Sequence, residues 1–185
     1  MSEAGNLITP DYVMTMADYN QWINARVYAA ARQLPAEELA ASRKAFFGSI
    51  IGTLNHIVVG DTTWLKRFAT HPSAFDSLDP IRALEVPVAL NQILFSDFDA
   101  LSERRVLIDE AIVRWARQLT AADLSHSLTY TRMSGGVARK PLDALLVHFF
   151  NHQTHHRGQV TTLLSQADID VGVTDVLVLM PDVND

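Results

Sequence analysis

The sequence predicts an all-α protein, a four-helix bundle with a short hairpin or ordered loop between the third and fourth helices. Three observations point to this fold class. Apolar residues recur at helical spacing in four long segments, prolines interrupt the chain between them, and only one short stretch is rich in the β-branched and aromatic residues that favour strands. Four long helices in a chain of this length imply one bundle domain that spans residues 1–185.

The first two helices are delimited by their apolar period and by the prolines that follow them. Apolar residues recur every three or four positions over residues 11–34, and Pro35 ends this run. The same period returns over residues 47–68, until Pro72 interrupts the chain. We therefore expect an amphipathic helix in each of these two segments.

The third helix is expected to be the longest of the four. After a loop that contains three prolines, one apolar seam runs over residues 94–119. The helical period then disappears over residues 127–140, where β-branched and aromatic residues surround the sequence Ser134-Gly135-Gly136. This pattern predicts the short hairpin or ordered loop.

The fourth helix is expected to begin at Pro141, because proline is tolerated in the first turn of a helix, and to extend to about Ala167. Residues 168–185 have no helical period, and we expect them to pack as an extended segment. No internal repeat, low-complexity tract or flexible linker divides the chain. The sequence therefore favours a single domain.

Composition limits the chemistry that the protein can carry. With 48% hydrophobic and 19% charged residues, the chain has the make-up of a globular domain with a substantial core. It has no cysteine, which excludes disulfides, cysteine zinc fingers, iron–sulfur clusters and a catalytic thiolate of its own. Any metal must therefore be bound by histidine or carboxylate.

The charge balance argues against nucleic acid and membranes as partners. There are 15 Lys and Arg residues and 21 Asp and Glu residues, and the formal charge of −6 repels phosphate backbones and anionic lipid surfaces. No segment approaches the roughly 18 uninterrupted apolar residues of a membrane span. The N-terminus also lacks a basic region followed by an apolar run, so we expect a cytoplasmic protein.

Four of the seven histidines lie within nine residues of the fourth predicted helix, at His148, His152, His155 and His156. In a helix, three of them form an i, i+4, i+8 row, with His155 beside it. The row shares its side of the helix with leucines and phenylalanines, so we expect these imidazoles to point inward. Burying an imidazole without a partner costs on the order of 1–3 kcal/mol, and a metal ion is one such partner.

The spacing of the row restricts which histidines can share an ion. Two histidines at i and i+4 lie about 6 Å apart along the helix axis, and both can reach one divalent ion at roughly 2.0–2.1 Å. His148 and His156 are about 12 Å apart and cannot. The pair is therefore either His148 with His152 or His152 with His156, and the spacing leaves both open.

A third ligand has to come from another helix. His56 is the best candidate, because it lies in an apolar helical segment, whereas His71 and His126 lie in breakers and loops. Small or polar side chains surround His56 on a helical wheel and either leave space for a site or form a solvated face; they are Ser49, Gly52, Gly60 and Thr63. The alternative to a metal site is that these histidines are hydrogen-bonded core residues or lie on the surface.

Three segments carry a family pattern that covers essentially the whole chain. They are YNQWINARVYAAARQLPAEEL, FFGSIIGTLNHIVVGDTTWLKRF and LLVHFFNHQTHHRGQVTTLLSQ. Their most specific parts are Asn151-His152 followed by His155-His156-Arg157-Gly158-Gln159 in the fourth helix, and Leu54-Asn55-His56 followed by Asp61 and Trp64 in the second. With these motifs the sequence resembles the DinB family, also called the DinB/YfiT-like metalloenzymes.

The resemblance implies a four-helix bundle, often a homodimer, with one divalent metal held by three histidines. Carried over by position, the ligands are His56, His152 and His156. Zinc and nickel both suit imidazole ligands. The family name comes from DNA-damage induction and does not imply DNA binding.

The resemblance also suggests a chemistry. Members of the wider superfamily use mycothiol or bacillithiol as isomerases or S-transferases, so a low-molecular-weight thiol is the expected cosubstrate. The family pattern further includes Asp61, which lies close to the apolar stripe of its helix. We expect Asp61 either to accept a hydrogen bond from a ligand histidine or from Arg157, or to form a structural salt bridge.

Two functions from different classes remain open at this point. The first is a metal-dependent enzyme, a thiol-dependent transferase or a hydrolase that acts on a small molecule through the three histidines. The second is a non-enzymatic bundle, a stress-related small-molecule binder or dimer whose metal is structural or absent. No serine–histidine–aspartate signature, phosphate-binding glycine loop or paired-carboxylate signature competes with them.

Overall fold

The computed structural model describes residues 6–183, and over this range the protein is mostly helical with one small two-stranded sheet. Four helices are long, with 19 to 24 residues each. They are α1 (Pro10–Ala31), α3 (Ile50–Phe68), α5 (Phe98–Ala116) and α7 (Leu142–Ser165). Three short helices lie between them, α2 (Ala36–Ala40), α4 (Asp79–Arg82) and α6 (Ala121–Ser125). The strands are β1 (Ser127–Thr131) and β2 (Val137–Pro141), and two 3₁₀ turns cover Asp76–Leu78 and Val176–Leu179.

Side-chain caps set the starts of three long helices. Thr9, Ser49 and Asp97 each accept a hydrogen bond from the backbone N–H three residues further on. The predicted start of the second helix at residue 47 is wrong by one turn, because Gly48 adopts a left-handed φ of 79° and Ser49 caps the helix after it. The apolar seam at residues 94–97 likewise lies outside α5, which Asp97 caps.

The predicted order of helix lengths is wrong. The third long helix, α5, has 19 residues, whereas α7 has 24. Apolar residues outside α5 had extended its seam: Leu94 packs against the core from the preceding loop, and Leu119 is buried beyond the helix end. Side chains from a loop can therefore continue an apolar pattern without continuing the helix.

The four long helices contact one another in a cycle, α1 with α5, α5 with α3, α3 with α7 and α7 with α1. Their shared interior is aromatic near one end: the ring of Phe68 stacks on Trp115 at 5.1 Å between centroids and meets the edge of Phe149 at 5.5 Å. All three side chains are fully buried. This packing fixes α3 against α7, the two helices that carry the histidines of interest.

The predicted hairpin is present. Strands β1 and β2 pair antiparallel from Ser127 opposite Pro141 to Thr131 opposite Val137, and Gly135 and Gly136 adopt positive φ in the turn. Pro141 is the last residue of β2 and precedes α7, so the predicted helix start at Pro141 is one residue early.

The C-terminal segment agrees with the predicted extended packing before residue 175 and departs from it at a 3₁₀ turn. The part before residue 175 lies along α1, where the hydroxyl of Tyr19 donates to the carbonyl of Thr174 at 2.7 Å and Arg26 donates to that of Val171. Val176–Leu179 then forms an exposed 3₁₀ turn, with Leu177 71% exposed. Among residues 6–183, no helix combines the length and apolar character needed to cross a membrane.

Candidate metal centre

Three imidazoles from two packed helices converge on one point. His56 lies in the middle of α3, and His152 and His156 lie one turn apart on α7. The Nε2 atom of His56 is 3.2 Å from Nε2 of His152 and 3.1 Å from Nε2 of His156. We call His56, His152 and His156 the three-histidine centre; within residues 6–183 it is the group of histidine and acidic side chains whose atoms could hold one metal ion.

The other ring nitrogens of two of these histidines determine where their protons lie. Nδ1 of His56 is 2.7 Å from the carbonyl oxygen of Leu90, which can only accept, so Nδ1 carries the hydrogen. Nδ1 of His156 is 2.8 Å from Oε1 of Gln159, whose amide nitrogen faces Nε2 of His155 at 3.3 Å. In the neutral imidazoles, Nε2 of His56 and Nε2 of His156 therefore carry no hydrogen, and their lone pairs face each other.

The surroundings keep the three imidazoles neutral. Burial, and next the neighbouring imidazoles, lower the pKa of His152 to about 3. Burial is also the main cause that lowers the pKa of His56 and of His156. For His56, the hydrogen bond to Leu90 opposes this shift. Neutral imidazole is the form that binds a metal.

A glycine and an aromatic ring position the cluster. A Cβ atom on Gly60 would be 2.6 Å from Cε1 of His152, so only glycine lets that ring lie against the backbone of α3. The ring of Phe47 stacks on His56 with 3.7 Å between centroids and 15° between planes, and it meets the edge of His156. The interpretation that small residues beside His56 leave space is thus confirmed at Gly60, and His56 is only 4% exposed.

The donor set fits a divalent ion. Two nitrogens bound at roughly 2.05 Å to one tetrahedral ion are about 3.3 Å apart, close to the 3.1 and 3.2 Å separations between His56 and its two neighbours. Two neutral imidazoles whose lone pairs point at each other repel unless a cation lies between them. The cluster is therefore compatible with a metal-binding protein.

The three-histidine centre opens into a pocket of about 510 Å³. The pocket extends along α3 from His56 past Gly60 to Trp64 and Arg67, and the hairpin closes one side of it with Tyr130. Exposed Phe46 lies at its rim. A small molecule can thus reach the imidazoles from solvent.

The other two histidines of α7 lie outside the three-histidine centre. His148 and His155 are exposed, so the expectation that all four imidazoles point inward is wrong for these two. His148 contacts the edge of Trp64 at 5.1 Å between centroids, on the pocket wall. His155 contacts the edge of His156 and the amide of Gln159. A helical wheel gives the direction of each side chain but not which parts of the helix other elements cover. It therefore could not show that His148 and His155 are exposed.

Asp61 does not support the centre. It is fully buried, and its Oδ2 forms a salt bridge with Nη1 of Arg105 on α5. Arg105 also binds Asp109 with 2.8 Å between Nη2 and Oδ1. The expected hydrogen bond from a ligand histidine or from Arg157 is absent among the described residues, and the alternative of an interhelical salt bridge is confirmed.

The salt bridge of Asp61 is part of a larger set that we call the buried network. The amides of Asn20 and Asn24 on α1 donate to Oδ1 of Asp109, each at 3.0 Å, and Arg157 on α7 donates to Asn20. All of these side chains are buried. Asn20, Asn24 and Arg157 follow the family pattern, and the structure places them in this network, away from the pocket.

Some residues of the site were not predicted from the sequence. The Leu90 carbonyl belongs to a long loop, and a backbone atom leaves no signal in side-chain patterns. The contact of Gln159 with His156 had a signal in the sequence, because its place at i+3 from His156 is the spacing at which helical side chains meet. Arg67 and Tyr130 come together because the hairpin folds onto α3.

A mostly helical fold whose two packed helices present three converging imidazoles defines a class of helical proteins with a histidine-lined, metal-compatible centre. The sequence profile of the DinB family matches residues 1–181, and the chain belongs to the DinB family. It is similar to Protein DinB of Bacillus subtilis (strain 168), with 27% identity over 167 residues that cover 89% of this chain and 91% of that protein.

Proposed function

We propose that the protein is a metal-dependent enzyme in which His56, His152 and His156 hold one divalent ion, zinc or nickel. The observation that carries the proposal is the pair of facing lone pairs on Nε2 of His56 and His156, 3.1 Å apart. Hydrogen bonds to Leu90 and Gln159 fix both rings in this orientation. A cation between the rings removes the repulsion that the arrangement otherwise creates.

Three ligands and an open pocket favour a catalytic over a structural ion. Structural zinc sites are closed by four protein ligands, whereas catalytic sites keep a position free. Within residues 6–183 the group contains no fourth histidine or acidic ligand, and the pocket of about 510 Å³ leads to it. An ion bound there supplies Lewis-acid chemistry and lowers the pKa of a thiol or water that binds beside the imidazoles.

The chain's own residues orient the ligands and shape the space in front of them. Leu90 and Gln159 hold the His56 and His156 rings with Nε2 toward the pocket. The stacked ring of Phe47 excludes water from one face of His56, and Trp64 and Tyr130 form an apolar wall further along the pocket. Such a wall favours a substrate with a flat apolar part.

We propose thiol-dependent S-transfer as the reaction. The proposal rests on the family resemblance. Because the chain has no cysteine, a thiol that takes part in this reaction has to be a cosubstrate. Hydrolysis is the alternative within the same class of metal-dependent reactions. Both reactions would depend on the pocket residues and on the ion that the three histidines would hold.

The domain organisation completes the proposal. The cyclic contacts of α1, α3, α5 and α7 support one four-helix-bundle domain over residues 1–185. The family resemblance supports a homodimer, which light scattering of the purified protein tests. A monomer at all concentrations would contradict the dimer and leave the metal centre unaffected.

Metal analysis is the test of the centre. We expect one zinc or nickel ion per chain in protein as isolated, or after removal of metal by chelation and reloading. His56→Ala, His152→Ala and His156→Ala should each reduce the content far below one. The matched controls are His148→Ala and His155→Ala on the same helix, which should keep one ion per chain. Equal metal content in all five variants would contradict the assignment.

A second measurement separates an enzyme from a non-enzymatic bundle. The loaded protein is assayed with each physiological low-molecular-weight thiol and a panel of electrophiles. We expect conjugation that depends on the metal and is lost in His152→Ala. A metal that raises the melting temperature without any turnover would favour the non-enzymatic function, a small-molecule binder or structural dimer.

A further inference from the structure

A cationic side chain lies in the same pocket as the three-histidine centre without an acidic partner. Arg67, in the last turn of α3, is half-buried between two aromatic rings, with its guanidinium carbon 4.5 Å from the ring centre of Trp64 and 4.8 Å from that of Tyr130. Its Nη2 donates to the carbonyl of Thr131 at 2.9 Å. Over residues 6–183, no carboxylate lies within 4.0 Å of this guanidinium.

The whole pocket lacks negative charge. None of its 15 lining residues is an Asp or Glu, although the chain has 21 acidic residues and a net charge of −6. A second guanidinium, that of Arg132 in the hairpin, lines the pocket and donates only to the carbonyl of Val137 among the described residues. An unpaired cationic wall in an acidic protein attracts anions to this pocket.

The arginines lie beyond the histidines along the pocket. The ring of His152 lies against Gly60. Four residues away on each helix, His148 contacts Trp64, and the Arg67 guanidinium lies over the Trp64 ring. Four residues of helix rise by about 6 Å. A molecule that reaches both the three-histidine centre and Arg67 therefore has to span roughly 6–10 Å.

Resting on the proposed function, we propose that Arg67 binds the carboxylate, or another anionic group, of a small flat substrate whose opposite end reaches the three-histidine centre. A guanidinium presents parallel N–H donors that match a carboxylate, and its Nε and Nη1 make no hydrogen bond to residues 6–183. Trp64 and Tyr130 hold Arg67 in place, which reduces the entropy lost on binding. Arg132 adds a second positive charge from the hairpin.

A pair of isosteric thiols tests this subsite. 4-Mercaptobenzoate and 4-mercaptobenzamide share the thiol and the flat ring and differ in the para substituent, which is a charged carboxylate in the acid and a neutral amide in the other. Calorimetric titrations use both compounds with zinc-loaded and with metal-free protein. We expect the acid to bind at least roughly tenfold more tightly than the amide in both forms, because a charge-assisted pair replaces a neutral contact.

Variants of Arg67 assign the preference to this residue. Arg67→Met should remove most of the preference for the acid while the affinity for the amide stays the same, and Arg67→Lys should retain more of the preference than Arg67→Met. Arg114→Met, which removes an exposed charge on α5, should behave like the wild type. A structural role of Arg67 in holding Thr131 predicts instead that both affinities fall together, which would overturn the proposal.

The outcomes separate the subsite from the metal. Equal affinity for acid and amide, absence of binding by both, or an undiminished acid preference in Arg67→Met would each overturn the subsite while a bound zinc ion still supports the proposed function. A chain that takes up no zinc would contradict the proposed function. In that case the affinities of the metal-free protein for the acid and the amide still test whether Arg67 binds the carboxylate.

Discussion

The three-histidine centre and the buried network are two polar clusters within the same four helices, and they differ in how their hydrogen-bonding atoms are used. In the network, Arg105 forms salt bridges with Asp61 of α3 and Asp109 of α5. Two asparagine amides of α1 donate hydrogen bonds to Asp109. In the three-histidine centre the outer nitrogens of His56 and His156 have partners, while the inner nitrogens face one another.

The difference distinguishes a cluster held together by internal ion pairs from the cluster that we propose as a metal site. In the network, opposite charges pair inside the protein without an added ion, and the network links all four long helices. A cluster in which the free nitrogens of His56 and His156 converge on one point is suited to hold a cation. Burial alone does not separate the two cases, since Asp61 and His56 are both buried residues of α3.

Removing the cation of the buried network should have the largest effect on stability. Arg105→Leu leaves Asp61 and Asp109 buried without a counter-charge, and burial already raises the pKa of Asp109 to about 6, against the opposing effect of Arg105. We expect the free energy of unfolding in urea to fall by about 3–5 kcal/mol. The folded fraction should still bind one metal ion per chain.

The matched control for this change is Arg114→Leu on the same helix, which is exposed and should stay within about 0.5 kcal/mol of the wild type. If Arg105→Leu does not fold, Asp109→Asn gives a milder test, because it keeps the shape and removes one charge. An Arg105→Leu protein as stable as the wild type would show that the network is not structural.

Filling the space at Gly60 should break the three-histidine centre without breaking the fold. The new methyl group of Gly60→Ala would displace the His152 ring, so we expect metal affinity to fall by about 10–100-fold, the range seen when ligand orientation is lost. Competition with a chelator measures it. Gly158→Ala on α7 is the control, because nothing lies within 4 Å of its added Cβ. Unchanged affinity in Gly60→Ala would contradict the role of this contact.

Removing the acceptor behind His156 should have a smaller effect on the same affinity. Gln159→Leu leaves Nδ1 of His156 without its partner, and we expect roughly a tenfold loss of metal affinity. Gln159→Glu keeps an acceptor and loses the donor to His155, so it should bind metal at least as well as the wild type. Equal losses in both variants would mean that the amide acts through its N–H contact with His155 and not through the acceptor behind His156.

The smallest expected effect is a pH dependence at a histidine outside both clusters. Burial lowers the pKa of His71, while the nearby Asp123 opposes this shift. The unfolded chain therefore binds the proton more readily, so the stability contributed by neutral His71 is complete above about pH 6.5 and is lost as the pH falls below it.

The melting temperature of metal-free protein, followed from pH 7.5 to pH 5, measures this effect. We expect the decrease in His71→Gln to be smaller than in the wild type by on the order of 2 °C. The same slope in both proteins would show that protonation of His71 does not oppose folding.

The long helices could be predicted from the sequence because an apolar period over many turns has few alternative explanations. The short helices could not: α2 and α6 have five residues each, too few for a period to appear. The ends of α3 and α5 depend on the caps at Ser49 and Asp97, and the apolar residues just before them gave no sign of the boundary.

Part of the site could also be predicted from the sequence. The spacing of His152 and His156 offered one of two possible pairs, and the family resemblance selected it and added His56. The role of Asp61 could not be decided, because its partner Arg105 is 44 residues away and only the packing of α3 on α5 brings them together. The hairpin side of the pocket depends in the same way on tertiary contacts.

The junction between the hairpin and α7 has a consequence for engineering. β2 ends at Pro141, α7 begins at Leu142, and the Leu142 N–H donates to the carbonyl of His126 at 2.8 Å, so the base of the hairpin is fixed to the helix that carries the histidines. The exposed turn of the hairpin, which bears Arg132, is free of such ties to α7 among the described residues. Libraries randomised in this turn should therefore alter which molecules enter the pocket while metal loading stays intact.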